Sequence, residues 1–253
     1  MMAHFRRRSS NASAMTHFIP PRTTVNGIVA NLLGIPRDEY YETFSCENVD
    51  VAIASLVRPR KEVYTLNYLN VKFPDDVTGV KQHTQVQTEF LFPTAPYGHL
   101  VYRIWFRPKK GPLVEDRTLK SRLDHIFSCG EYISYGGPVS LGLAHCLGWT
   151  ENSCIGEVVR ESDSFESTQI CSVINLDDLQ DLYAREDNFI IREDMVLDML
   201  AGRKLKENSV ISAVFDLGGK NIECVARRWC EVSFGGTNEV VAWLSPSQEK
   251  DSF

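Results

Sequence analysis

Pro20-Pro21-Arg22-Thr23-Thr24-Val25-Asn26-Gly27-Ile28-Val29-Ala30-Asn31-Leu32-Leu33-Gly34 is the stretch on which the fold turns. Val25, Ile28, Val29, Leu32 and Leu33 recur at i, i+3, i+4, i+7 and i+8, the apolar stripe of a helix lying on a core. The two prolines stop a helix from beginning earlier. Thr23 or Thr24 can cap the first free amides, and Gly34 can end the helix in a left-handed turn. The first turn holds no acidic residue, and Arg22 stands just outside it. Free amides, hydroxyls, the positive end of the helix dipole and an arginine together suit an anion such as phosphate. The alternative is a buried helix whose arginine is simply solvated.

Working outward, residues 1–17 read as a flexible basic loop, with Arg6, Arg7 and Arg8 and no acidic residue. Residues 36–44 read as a second short helix with Tyr41 and Phe44 on one side, and Val49 to Val57 as a buried strand rich in β-branched residues. Asn70 to Thr88 is a polar excursion between Tyr64-Thr65-Leu66 and Phe90-Leu91-Phe92. A loop of this length is rarely structureless inside a compact domain, so a long projecting hairpin is expected. Its amides and hydroxyls can serve sugar and phosphate without choosing a base. Leu100 to Phe106 alternates as a strand, and Thr118 to Cys129 is an amphipathic helix with Leu119, Leu123, Ile126 and Phe127 inward. The Gly-rich run Tyr135 to Cys146 lacks the spacing of a phosphate-binding loop. Beyond residue 150, strands are expected at 154–160, 169–175, 210–216, 221–232 and 239–244, short helices at 176–185 and 192–200, a hairpin turn at Gly218-Gly219, and a frayed end at 248–253.

The 253 residues, 43% hydrophobic and 24% charged, are enough for a substantial core. No apolar run approaches a membrane span, and the Arg-rich start lacks an apolar signal segment, so a cytoplasmic protein without membrane attachment is the expectation. Seven scattered cysteines form no CxxC pair or zinc-like spacing, which fits reduced, mostly buried thiols and no metal or cofactor. Charge is divided unevenly. Residues 1–150 carry 17 Lys+Arg against 13 Asp+Glu, a balance of +4, whereas 151–253 carry 10 against 20, a balance of −10. The first half can face a polyanion while the second meets solvent or a protein.

Helix, strand, hairpin, strand, helix and Gly-rich loop, taken with a first strand, follow the order of an α+β, ferredoxin-like βαββαβ fold. The run from Pro20 to Gly27, with Leu32-Leu33-Gly34-Ile35-Pro36-Arg37-Asp38-Glu39-Tyr40-Tyr41, resembles the first helix of the Cas-five family, the RAMP-type subunit of type I CRISPR Cascade complexes. The segment from Gly79 to Leu91 resembles the end of that family's thumb hairpin, Tyr102 to Phe106 the strand after it, and Tyr135 to Gly142 its Gly-rich loop. The Arg-Asp-Glu-Tyr-Tyr continuation is most similar to the type I-B branch.

The resemblance implies an RRM-like domain over 1–150, with a thumb at about 67–91, followed by an acidic β-rich region over 151–253. It implies a subunit that caps the 5′ handle of the guide RNA (crRNA), docks beside the Cascade backbone subunits and the large subunit, and meets target DNA through the complex. The residues matched to RNA binding are Arg6, Arg7, Arg22, Thr23, Thr24, Asn26, Lys81, His83, Gln85, Gln87, Gly142 and His145. On that reading Arg22→Ala weakens RNA binding far more than folding. The family's apolar first strand is absent or severely shortened, because the chain starts at Met1-Met2-Ala3-His4-Phe5-Arg6. No catalytic residue is assigned, since the Tyr, Lys and His set of RNA-cutting type I-C relatives has no match here. The alternatives are a metal-independent endoribonuclease processing precursor crRNA with His83 or His145 as general acid or base, and a protein-only scaffold whose acidic half binds partners.

Overall fold

The computed structural model describes residues 2–8, 13–69, 71, 73–78 and 83–246. Lys81, the run 79–82 and the expected frayed end at 248–253 lie outside them. The chain is an α+β, strand-rich fold. In order it forms β1 (Phe5–Arg6), β2 (Thr16–His17), α1 (Arg22–Leu33), β3 (Val49–Ser55), β4 (Pro59–Leu69), β5 (His83–Pro93), β6 (Tyr102–Pro108), α2 (Pro112–Glu115) and α3 (Arg117–Ser128). Then come β7 (Val139–Ser140), β8 (Leu147–Gly148), β9 (Glu157–Ser162), β10 (Glu166–Ile170), β11 (Ile174–Asn175), β12 (Leu179–Tyr183) and β13 (Ile190–Val196). The chain continues with β14 (Met199–Leu200), β15 (Lys204–Leu205), β16 (Val210–Asp216), β17 (Ile222–Ala226), β18 (Trp229–Phe234) and β19 (Thr237–Ala242).

The opening helix forms as its periodicity requires, with Val25, Val29, Leu32 and Leu33 buried. Gly34 ends it at φ 75°, and Ile35 N–H reaches back to Ala30 O at 2.9 Å, the signature of a Schellman turn. Its start differs from expectation. Arg22 is the first helical residue and Pro21, without a side-chain donor or acceptor, occupies the cap, so neither threonine caps the amides. By contrast, Asp116 caps α3 by accepting from Thr118 N and Leu119 N.

β3 and β6 pair antiparallel from Val49↔Pro108 to Ser55↔Tyr102. Every residue of β3 is buried, because α1 covers it and the C-terminal part closes its second edge: Val173 N–H donates to Ile53 O (2.8 Å) and Leu244 N–H to Val51 O (2.9 Å). The main core accordingly mixes Val25, Leu33, Val51 and Ile126 with Val173, Met195, Ala213 and Phe215.

From α1 to α3 the chain runs helix, strand, hairpin, strand, helix, but among the described residues no ladder unites a four-stranded sheet. The strand before α1 is two residues long and pairs with β2 instead. Residues 2–8 and 13–17 are no loose loop, since Ala3, His4 and Phe5 are buried and Ala3 exchanges both backbone hydrogen bonds with Leu91.

The projecting hairpin is longer than the sequence indicated. β4 and β5 pair over eleven residues each, from Pro59↔Pro93 to Leu69↔His83, with a short 3-10 turn at Pro74–Thr78. Its root is packed, with Thr88, Phe90 and Leu91 buried, whereas Val63, Tyr68 and Phe73 face solvent.

Three local expectations are corrected. Residues 36–44 form turns, not a helix. The expected helices at 176–185 and 192–200 are mostly strands, β12 and β13, the first preceded by a 3-10 turn at Leu176–Asp178. Gly218-Gly219 links β16 to β17, which lie in different sheets, so it is a crossover and not a hairpin. No helix of the described residues is long and apolar enough to cross a membrane.

Candidate nucleic-acid interface

A half-open cleft of about 860 Å³ lies between the N-terminal segment, the start of α1 and the Gly-rich run. Three of its walls come from the stretches singled out in the sequence. Arg6, Arg7 and Arg8 form one; Thr23, Thr24, Asn26 and Asn31 of α1 form the second; Pro138 to Ser140 and Gly142 to Ala144 form the third. Arg37, Tyr40, Tyr41 and Arg203 close the far end.

The Gly-rich wall is fastened to α1 through backbone carbonyls. Asn31 Nδ2 donates to Gly137 O (3.1 Å), Tyr135 N–H donates to Leu32 O (2.9 Å), and Arg122 Nη1 donates to Leu33 O (2.8 Å). Leu32 O, one of the last carbonyls without a partner inside the helix, thereby holds the loop at Tyr135, while Leu33 O holds α3. Gly142 sits at φ 96°, and a Cβ built there would stand 1.8 Å from His4 O. Its lack of a side chain thus admits the chain's own N-terminal segment. Leu141 O accepts from His4 N–H on the same approach (3.0 Å).

The cationic residues divide into two kinds. Arg6 and Arg8 are exposed and form no ion pair among the described residues. Arg7 is half-buried, pairs with Glu193 and donates Nε to Thr16 O (3.1 Å). At the mouth of α1 the first amides have no side-chain cap and the first turn has no acid, so the positive end of the helix dipole opens beside Thr23 and Thr24.

Arg22 corrects the central expectation of the sequence. It is fully buried, beneath the helix start and not in front of it. Nη1 donates to Asp198 Oδ1 (2.6 Å) and Leu197 O (3.0 Å), and Nη2 to Phe44 O (3.0 Å) and Val49 O (2.8 Å). A guanidinium with this many protein acceptors and no exposed surface clamps the core and does not meet phosphate. Asn26 is likewise turned partly inward, with Nδ2 donating to Phe44 O (3.0 Å) and Oδ1 buried without a partner among the described residues.

The remaining candidates stand elsewhere. His83, Gln85 and Gln87 are exposed on β5, all on one face at two-residue spacing. His145 packs its ring 5.8 Å from that of Phe90, which also meets His4 and Tyr64 at the hairpin root. His83 and His145 are thus on separate parts of the molecule. Burial holds the His4 imidazole below its ordinary pKa, even though Nδ1 bonds Glu89 O (2.7 Å). Sequence reasoning missed Asn31, Tyr40, Tyr41 and Arg203 as cleft residues. The Tyr-Tyr pair beside Arg37 was a readable signal for an aromatic wall; Arg203, distant in sequence, gave none.

The uneven charge of the two halves has an internal destination. Arg7 pairs with Glu193, Arg22 with Asp198, Arg103 with Glu239 and Arg107 with Glu161, each joining a cation of the first half to a carboxylate of the second. The acidic region is therefore partly the counter-surface of the basic one. Burial raises the thiols of Cys46, Cys171 and Cys230 to about 12, which leaves them unreactive near neutrality. Among the described residues no group of three or more His, Cys, Asp or Glu side chains is gathered as a metal site would need.

No family model matches the sequence, and no curated protein matches it. Among solved structures, the chain is similar to a CRISPR protein from Archaeoglobus fulgidus, with 11% identity over 97% of this chain and 96% of that one and a TM-score of 0.47. It is also similar to a chain of a CRISPR RNA-guided surveillance complex, with 12% identity over 88% of this chain and 87% of that one and a TM-score of 0.43.

Proposed function

We propose that this protein is a guide-RNA-binding subunit of a CRISPR surveillance complex, of the Cas-five type and nearest the I-B branch, whose cleft seats the sugar-phosphate backbone of the crRNA 5′ handle. The observation that carries the reading is the convergence of three sequence-distant segments on one cleft: Arg6 and Arg8, which form no ion pair among the described residues, the uncapped, acid-free start of α1 with Thr23 and Thr24, and the Gly-rich run. Phosphate is the ligand such a surface suits, because open amides and guanidinium groups both donate to anionic oxygen. The long hairpin, with His83, Gln85 and Gln87 on one exposed face, supplies a second polar surface beyond the cleft. Contacts to the backbone subunits, the large subunit and, through the complex, target DNA belong to the same reading, as does an RRM-like ancestry for the helix–strand–strand–helix unit.

We read the protein as binding RNA without cutting it. Incubation with precursor repeat RNA in EDTA tests that point: a defined cleavage lost on substituting His83 or His145 would establish the endonuclease instead.

Filter binding of a handle oligoribonucleotide over a range of salt tests the cleft. For single strands the logarithmic salt slope is about 0.7 per phosphate neutralised, so Arg6→Ala with Arg8→Ala should lower it by about 1.4. An unchanged slope and affinity would remove the cleft from RNA binding.

A further inference from the structure

The cleft wall and the hairpin root are held by one carboxylate. Glu193, on β13 of the C-terminal region, has a side chain 3% exposed and pairs with Arg7 through Oε1. Lys61 of β4 approaches the same Oε1 at 3.9 Å. Oε2 accepts from Phe18 N–H at 3.1 Å and faces His17 Nδ1 at 3.4 Å. Arg7 and Lys61 share a second acceptor as well: Thr16 O takes Nε of Arg7 (3.1 Å) and Nζ of Lys61 (2.5 Å). Thr16 is in turn tied to the hairpin, since its N–H donates to Glu89 Oε2 (3.0 Å). Alongside, Ala14 N–H donates to Gln87 O (2.8 Å) and Glu89 N–H donates to Ala14 O (2.9 Å).

Arg7 thus lines the cleft while Lys61 stands in the hairpin, and each holds the same carboxylate and the same carbonyl. Whatever draws the Arg7 guanidinium toward the cleft alters what Glu193 and Thr16 offer Lys61. Glu193 is buried and cannot take solvent as a substitute partner, so the loss of one cation falls on the others. Other charged or titratable groups facing this cluster include Glu89, 3.5 Å from Lys61, His17, and Asp194, whose charge acts on His17.

We infer that Glu193 is a positioning residue that couples the occupied state of the cleft to the root of the hairpin, through its shared hold on Arg7 and Lys61. The inference rests on the RNA-binding reading for the identity of the cleft ligand, and on the structure alone for the coupling of Arg7 to Lys61.

Amide hydrogen exchange at Glu89 and Leu91 tests it in two arms, with a single-stranded handle oligoribonucleotide as the probe. Without RNA, Arg7→Ala should change exchange at these hairpin amides. The effects of Arg7→Ala and Lys61→Met should be non-additive by about 2-fold or more, the low end for residues in one network. With RNA, wild-type exchange at Glu89 and Leu91 should shift on binding, whereas Glu193→Gln should bind RNA yet show no such shift. Binding to wild type with unmoved hairpin amides, an equal shift in Glu193→Gln, or additive Arg7 and Lys61 effects would overturn the coupling. Failure of wild type to bind RNA would instead overturn the cleft's function and leave the RNA-free arm to decide the coupling. Where Glu193→Gln fails to fold, the Arg7→Ala and Lys61→Met cycle decides alone.

Discussion

Replacing Arg22 by alanine should damage folding before it damages any interaction with RNA. The guanidinium is fully buried and donates to Asp198 Oδ1, Leu197 O, Phe44 O and Val49 O. Breaking a buried ion pair from one side typically costs about 3–5 kcal/mol, because the other charge stays behind. Here Asp198 keeps Cys46 N–H at 2.9 Å and a distant Lys206 at 4.0 Å, which places the loss from the pair toward the lower end. The three carbonyls left behind act in the opposite direction. Val49 O, Leu197 O and Phe44 O each lose a charged donor, and an unsatisfied buried acceptor costs about 1–3 kcal/mol. Asn26 Nδ2 still serves Phe44 O, and water entering the vacated volume can serve others, so a total of about 4 kcal/mol is expected. For a chain of this size each kcal/mol moves the melting point by about 2–4 °C, so Arg22→Ala should melt about 8–16 °C lower. Urea unfolding followed by circular dichroism measures the loss, and filter binding at low temperature shows whether the folded fraction still takes RNA. A melting point within about 2 °C of wild type, with RNA affinity lost, would refute the buried-clamp account and restore Arg22 to the phosphate site.

Gly142→Ala and Gly130→Ala form a matched pair. Both glycines have positive φ, but a Cβ at Gly130 meets nothing within 4 Å, whereas at Gly142 it collides with His4 O. Gly130→Ala should cost about 1 kcal/mol of backbone strain, and Gly142→Ala appreciably more, with the N-terminal segment displaced; equal losses in thermal melts would contradict the close approach. His17 gives a pH signature. Its pKa is lowered from 6.5 to about 4 by burial and by Arg7 and Lys61, so the folded state keeps it neutral while the unfolded chain protonates below 6.5. Stability from this source is complete above pH 6.5 and falls as pH drops, by about 3 kcal/mol at pH 4. His17→Gln should flatten that part of the profile measured by urea unfolding at pH 7, 5.5 and 4; an unchanged slope would place the loss on other groups.

What could be read from the sequence was whatever obeyed a local period. α1, β3, β6 and α3 appear where their apolar spacing puts them, because each buries one face against a core that a short window already reveals, and the hairpin appears where a long polar excursion required structure of its own. The errors have physical causes that can be named. In β13 and the residue after it the inward positions are Glu193, Met195 and Leu197, so a buried acid stands where the alternation needed an apolar residue, and the remaining pattern passed for a helix turn. In β12 a bulge between Leu179 and Asp181 turns Leu179 and Leu182, three residues apart, toward the same small core, which imitates helical spacing. Arg22 was misread for a related reason. A helix start without acids looks like a seat for an external anion, but the anion it holds is Asp198, 176 residues away on the chain.

The misreadings of β13 and of Arg22 share one origin, since Glu193 and Asp198 both belong to the strand and turn that bring the acidic half of the chain against the basic half. The uneven charge that looked like a preference for an outside polyanion is partly consumed in closing the fold, and among the cations lining the cleft Arg6 and Arg8, with the uncapped start of α1 behind them, are the ones left without an ion pair among the described residues. A basic half therefore identifies its free cations only after its internal carboxylates have been located. In this protein two of those carboxylates, Glu193 and Asp198, sit in 192–200, a segment whose secondary structure the sequence concealed.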